Sequence, residues 1–145
     1  MTLAQRLAQQ LHRLSFDDLP AEAIAKVKTA LLDYLSCAYE SCGLPWPSQA
    51  VELAKHATGQ CTILGESGQF AASDAIFANA VLGHSLVRED MHTGSVSHLG
   101  IVVFPTMLAA SETQAVSGRD FLRAAISGYE RSEEHTSELQ SLRHL

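Results

Sequence analysis

Positive charge is scarce in this sequence. Its 145 residues include 10 Lys and Arg against 16 Asp and Glu, a formal net charge of −6. No basic run or stripe occurs, which argues against a nucleic-acid partner. Long apolar runs are missing too. The apolar stretches are short and broken by Gly, Ser or charge, so no segment is expected to span a bilayer. The first residues, MTLAQRLAQQLHRLS, lack the apolar core of a secretory signal. A cytoplasmic protein, with no membrane partner, is the expectation. Cysteine is sparse: Cys37, Cys42 and Cys61 are odd in number and match no zinc spacing. Packed, reduced thiols account for them. Charged residues make up only 18% of the chain, below the usual quarter or so, while 46% is apolar. That balance excludes a disordered chain and allows one packed domain.

What is present is helical periodicity. Leu3, Leu7, Leu11 and Leu14 recur at the spacing of one helix face, so Thr2–Arg13 is read as a helix with Thr2 as its cap. A break at 16–19 precedes Pro20, an early helix position. Ile24, Val27, Leu31, Tyr34, Leu35 and Ala38 then mark a long second helix, which Gly43, Pro45 and Pro47 are expected to end. A third helix is expected from Ser48 to His56. Cys61–Gly65 reads as a short strand or extended link. Ser73 is expected to cap a fourth helix that reaches His84. Leu86–Gly100 has no sustained period and reads as loop. Ile101–Gln114 reads as a fifth helix with Pro105 in its first turns. Gly118, Arg119 and Asp120 open a sixth, bearing Phe121, Leu122, Ala125 and Ile126. The fold class is therefore all-α, with about six helices and at most one strand. No internal repeat is visible. The apolar faces are wide, and burial against partners outside this chain is expected.

Composition changes after Glu130. Residues 131–145 are polar with scattered Leu, and Arg131–Ser141 (RSEEHTSELQS) resembles the in-frame translation of a sequencing-library adapter. On that reading 1–130 is the N-terminal portion of a helical domain, and the tail is expected to carry no selected function.

Chemistry concentrates between His84 and His98. Three of the seven histidines fall within these fifteen residues, together with Arg88, Glu89 and Asp90. Imidazole moves protons near neutral pH. Carboxylates orient it and stabilise its charged form. Arg grips a carboxylate through two parallel hydrogen bonds. Gly94 and Gly100 permit backbone close to a ligand. These ingredients suit proton transfer next to a substrate carboxylate. Plainer readings stay open: His84 interacting with a helix C-terminus, Arg88 and Glu89 as an exposed ion pair, His92 and His98 as ordinary loop residues. A metal centre of His84, Asp90, His92 and His98 is chemically allowed but matches no short zinc signature.

Phe77–His84, Glu89-Asp90, Ser97–Gly100 with Pro105, and Gly118 with Gly128–Glu130 together resemble the MmgE/PrpD family. Asp33–Leu35, Cys37-Ala38 and Thr62–Gly65 fit as well. The resemblance covers Met1–Glu130. That family includes 2-methylcitrate dehydratases, cis-aconitate decarboxylases and iminodisuccinate epimerases. It implies a helical domain built from both ends of a longer polypeptide, a smaller α+β lid domain absent here, a homodimer, and, as for most members, no cofactor; no metal is expected from the residue spacing. By similarity His98 matches an active-site histidine, Glu89 and Asp90 the last two acids of an Asp-Phe-Asp-Asp element, and His84 the histidine before it. Val87, Met91 and Leu99 depart from the pattern and leave the reaction open among dehydration, decarboxylation and epimerisation. The expected catalytic residues are His98, Asp90 and His92. Arg88, His84, Glu89, Thr93 and Ser95 are expected to bind a small polycarboxylate substrate. Further active-site residues, a lysine among them, are expected beyond Glu130, so the chain by itself is expected to be inactive. The competing readings are a small helical interaction module and a metal-dependent hydrolase.

Overall fold

The computed structural model describes residues 2–94 and 96–142. Among the described residues six helices form: α1 (Leu3–Arg13), α2 (Ala21–Ser41), α3 (Pro45–Ala54), α4 (Ala72–His84), α5 (Gly100–Thr113) and α6 (Gly118–Leu142). One strand, β1 (Thr58–Cys61), joins them. No helix among the described residues is long and apolar enough to cross a membrane.

Local chemistry sets several helix ends. Thr2 caps α1 in a reciprocal box with Gln5, the Thr2 hydroxyl accepting from the Gln5 amide and the Gln5 side chain accepting from the Thr2 amide. A 3-10 turn at Phe16–Asp18, capped by Ser15, fills the break before α2. Gly43, at φ +84°, takes the left-handed turn that follows α2.

Three boundaries differ from the sequence reading. α3 begins at Pro45, so Pro45 and Pro47 start a helix and do not only end one. First-turn amides have no partner inside a helix, and proline loses nothing there. α4 begins at Ala72 after an Ala71 cap that lacks a side-chain hydrogen bond; Ser73 lies inside it. β1 ends at Cys61, where the strand was expected to begin. β1 pairs with the Gln69–Ala71 segment, through Gly59 N–H to the Gln69 carbonyl (3.3 Å) and Ala71 N–H to the Ala57 carbonyl (3.0 Å).

Thr62–Leu64 is instead held by side chains: the Glu112 carboxylate of α5 accepts from Thr62 N–H (2.9 Å), and Asn79 bonds the segment twice. The Asn79 amide of α4 donates to the Thr62 carbonyl and accepts from Leu64 N–H, both at 2.8 Å. Asn79 is buried, and these bonds satisfy polar groups that water does not reach.

α4 is central and packs on α2, α3 and α5. Tyr34, Phe104, Ile63 and Leu82 are fully buried around it. The Tyr34 hydroxyl donates to the Asn79 carbonyl (3.1 Å). A Cβ on Gly83 would stand 2.5 Å from the Tyr34 ring, so glycine is what lets α2 and α4 approach this closely. That contact fixes the last turn of α4, where His84 sits. A row of rings, Tyr34–Phe104–Tyr129, with centroids 5.6 and 5.7 Å apart, ties α2, α5 and α6 together.

The Ser117 hydroxyl accepts from Asp120 N–H (3.1 Å) and opens α6. Among the described residues, Phe121, Leu122, Ala125, Ile126 and Tyr129 of α6 face the core. The helix itself continues without a break to Leu142. Leu32, Leu53, Trp46 and Val102 remain more than half exposed, in keeping with the wide apolar faces of the sequence.

Candidate active site

α4 and α5 pack side by side, so the segment that leaves α4 at His84 must return to α5 at Gly100. The return brings His84 and His98 together. Their rings lie 5.0 Å apart, tilted by 64°. Glu89 sits against both. Its Oε1 contacts His84 Nδ1 and lies 3.0 Å from His98 Nδ1. The Glu89 side chain has no solvent exposure, while those of His84 and His98 are 44% and 22% exposed. The cluster is thus a buried carboxylate with two imidazoles facing outward. The hydrogen-bond geometry favours His84; the His98 contact is close but misaligned, and Glu89 Oε2 has no partner among the described residues. Such an orphaned oxygen in a buried carboxylate is costly and calls for a reason. A carboxylate accepts, so an imidazole facing it through Nδ1 presents Nε2 as the nitrogen free to take a proton.

Asp90 points elsewhere. Its Oδ1 accepts from Gly100 N–H (3.1 Å) and its Oδ2 from the Tyr129 hydroxyl (2.9 Å). Burial first, and the Asp90 charge second, hold the Tyr129 hydroxyl above the usual phenol range, so it stays a donor. A Cβ on Gly100 would fall 2.3 Å from Asp90 Oδ1, so this glycine makes room for the carboxylate. Asp90 thereby pins the first turn of α5, two residues after His98. Arg88 pairs with Glu40 of α2, and both side chains are more than half exposed. The thiol of Cys37, also on α2, is pushed up by burial and by the charges of Asp33 and Glu89.

His92 and Ser97 exchange backbone hydrogen bonds of 2.9 and 3.3 Å and close a small turn. Thr93 is exposed at its tip. Ser95 lies outside the described residues. Of the residues proposed from sequence, the fold gathers His84, Glu89 and His98 into one cluster. It commits Asp90 to α5 and Arg88 to α2, and it carries His92 and Thr93 on the turn. The donor set with metal-like spacing is also His84, Glu89 and His98, with ligand atoms within 4.8 Å of one another, and not the set with Asp90 and His92. Glu40 and Tyr129 had no assigned role in the sequence reading. Tyr129 stands in the Gly128–Glu130 element that carried part of the family resemblance; Glu40 had no signal beyond its place in an amphipathic helix.

The loop holds two backbone outliers. Val87 (φ 51°) and Val96 (φ 52°) adopt the left-handed region, which β-branched residues avoid at a cost of about 1–2 kcal/mol each. Val87 is 64% exposed, so its side chain contributes little packing. Replacing Val87 with Asn, which tolerates this conformation, should stabilise the protein by about 1 kcal/mol. A urea denaturation midpoint that rises at constant slope checks it; an unchanged or lower midpoint contradicts it.

A family model for the MmgE/PrpD N-terminal domain matches residues 5–144. The chain belongs to the MmgE/PrpD family. The match spans nearly the whole chain and agrees with the all-α architecture. Two Aspergillus proteins are similar to it. The cis-aconitate decarboxylase-like protein oryM of Aspergillus oryzae is 28% identical over 133 residues, covering 86% of this chain and 28% of that protein. Cis-aconitate decarboxylase of Aspergillus terreus is 28% identical over 124 residues, covering 81% of this chain and 25% of that protein. The chain therefore spans about a quarter of the length of the curated relatives it matches.

Proposed function

We propose that this chain is the N-terminal part of a cofactor-independent lyase or isomerase acting on a small di- or tricarboxylate. A proton moves at a carbon next to a carboxylate, with loss of water or CO2 or with inversion. The observation that carries this reading is the buried Glu89 carboxylate flanked by the half-open imidazoles of His84 and His98. His98 is the acid/base candidate. Glu89 orients the imidazoles and stabilises whichever of them holds the extra proton. Asp90 acts through α5: its bond to Gly100 N–H fixes the backbone that carries His98. Arg88 reaches a substrate carboxylate by exchanging Glu40 for it. His92 and Thr93 belong to the turn that would border the substrate, and Ser95 is a further candidate for a hydrogen bond to it. Similarity to cis-aconitate decarboxylases supports a polycarboxylate substrate; it does not choose among the three reactions.

On this reading the cluster is half of a site, and the other half comes from chain beyond this segment. The test is an assay of two proteins, the 145-residue chain and a longer protein in which Glu130 is followed by the template's own continuation. Each is given 2-methylcitrate, cis-aconitate and iminodisuccinate. Turnover of one substrate by the longer product only is the expected result. Turnover by the short chain at the rate of the longer one overturns the half-site, and a longer product that turns over none of the three overturns the substrate class.

A further inference from the structure

We propose that His84, Glu89 and His98 form a binding site for one divalent first-row cation of the Zn2+ class. Two imidazoles and one carboxylate are the donor set of a three-ligand zinc site that keeps a position open. Three observations support it without reference to catalysis. The ligand atoms lie within 4.8 Å of one another, close enough for one ion to reach all three with small side-chain rotations. Glu89 is a fully buried carboxylate with an oxygen that lacks a partner, and a cation satisfies such an oxygen directly. The imidazoles are open on one side, at 44% and 22% exposure, which gives an ion a route in while the carboxylate forms the floor.

The elements that hold the donors are fixed independently of any ion. His84 ends a helix locked by Gly83 against Tyr34, and His98 precedes a helix start pinned by Asp90. The site is thus largely formed before the cation arrives, which favours binding. The proposal does not require the enzyme reading: the ion and the proton-moving role are alternative uses of the same three side chains. If both hold, the cation displaces the proton chemistry, and added Zn2+ inhibits the enzyme.

The test is calorimetric titration of Zn2+ into the chelator-treated 145-residue chain, paired with the visible absorption of Co2+ as a report on coordination. The expected result is one ion per chain, with affinity falling on the order of 100-fold in His84→Ala and in His98→Ala. His56→Ala should bind like the parent. Glu89→Gln keeps the side-chain shape and should weaken Zn2+ and change the Co2+ spectrum. Each variant is first compared by far-UV circular dichroism, and any that loses helicity is replaced by the corresponding Asn variant. Absence of one-to-one binding, or binding that survives all three ligand substitutions, overturns the proposal. Neither outcome touches the catalytic reading, which is tested by turnover without added metal.

Discussion

Exchanging His98 for Asn in a longer, active protein, in which Glu130 is followed by the template's own continuation, should lower kcat by about 100- to 10,000-fold, the usual contribution of a positioned acid or base. That loss corresponds to roughly 3–5 kcal/mol of transition-state stabilisation. Asn approximates the near half of the imidazole and can still hydrogen-bond to Glu89, but it takes no proton in the working pH range. The loss should therefore appear in kcat, with KM changed little, because ground-state binding does not use the proton. Steady-state kinetics on the best of the three polycarboxylates measure the split. His56→Asn, made outside the cluster, should leave both constants alone. A His98→Asn enzyme with parental kcat would remove His98 from the chemistry.

The second large effect is on stability. Phe104 is fully buried and sits between Tyr34 and Tyr129, at 5.6 and 5.7 Å. Phe104→Ala should cost about 3–5 kcal/mol, through lost burial and the cavity left behind. Domains of this size are stable by only about 5–15 kcal/mol, so the variant should unfold at much lower denaturant. Phe104→Leu keeps most of the volume and should cost clearly less. The loss should also reach the site: Tyr129 packs on Phe104 and donates to Asp90, which holds the start of α5. Equilibrium urea unfolding gives the energies, and a Phe104→Ala cost below about 1 kcal/mol would contradict the packing described.

The elements were legible where one face repeats. Leu3, Leu7 and Leu11 mark α1, and Thr2 with Gln5 adds a cap that is readable three residues apart. Phe121, Leu122, Ala125 and Ile126 mark the buried face of α6. Boundaries were misread where a residue has two uses. Pro45 and Pro47 break a helix from within but suit its first turn, and only the packing of α3 decides between the two. Apolar Thr62–Leu64 looks more strand-like than Thr58–Cys61, yet the buried Asn79 amide takes its backbone groups and leaves the pairing to β1. The site was legible as a segment and not as an arrangement. Glu89 and Asp90 are adjacent carboxylates, and the sequence suggests catalysis for Asp90 and substrate binding for Glu89. Their separation into an imidazole partner and a helix anchor depends on Tyr129, thirty-nine positions from Asp90. In sequence Glu89 is the nearest partner open to Arg88, whereas the fold pairs it with Glu40, forty-eight positions away on α2.

On this reading His84, Glu89 and His98 act as one unit, and a double-mutant cycle tests that most directly. In the longer product, kcat is measured for the parent, for His98→Asn, for Glu89→Gln and for the two combined. Groups that act together lose their contributions together. The combined variant should therefore be no slower than the worse single variant, within about threefold. Losses that multiply, or a Glu89→Gln variant with parental turnover, would show that the buried carboxylate and the imidazole beside it work separately.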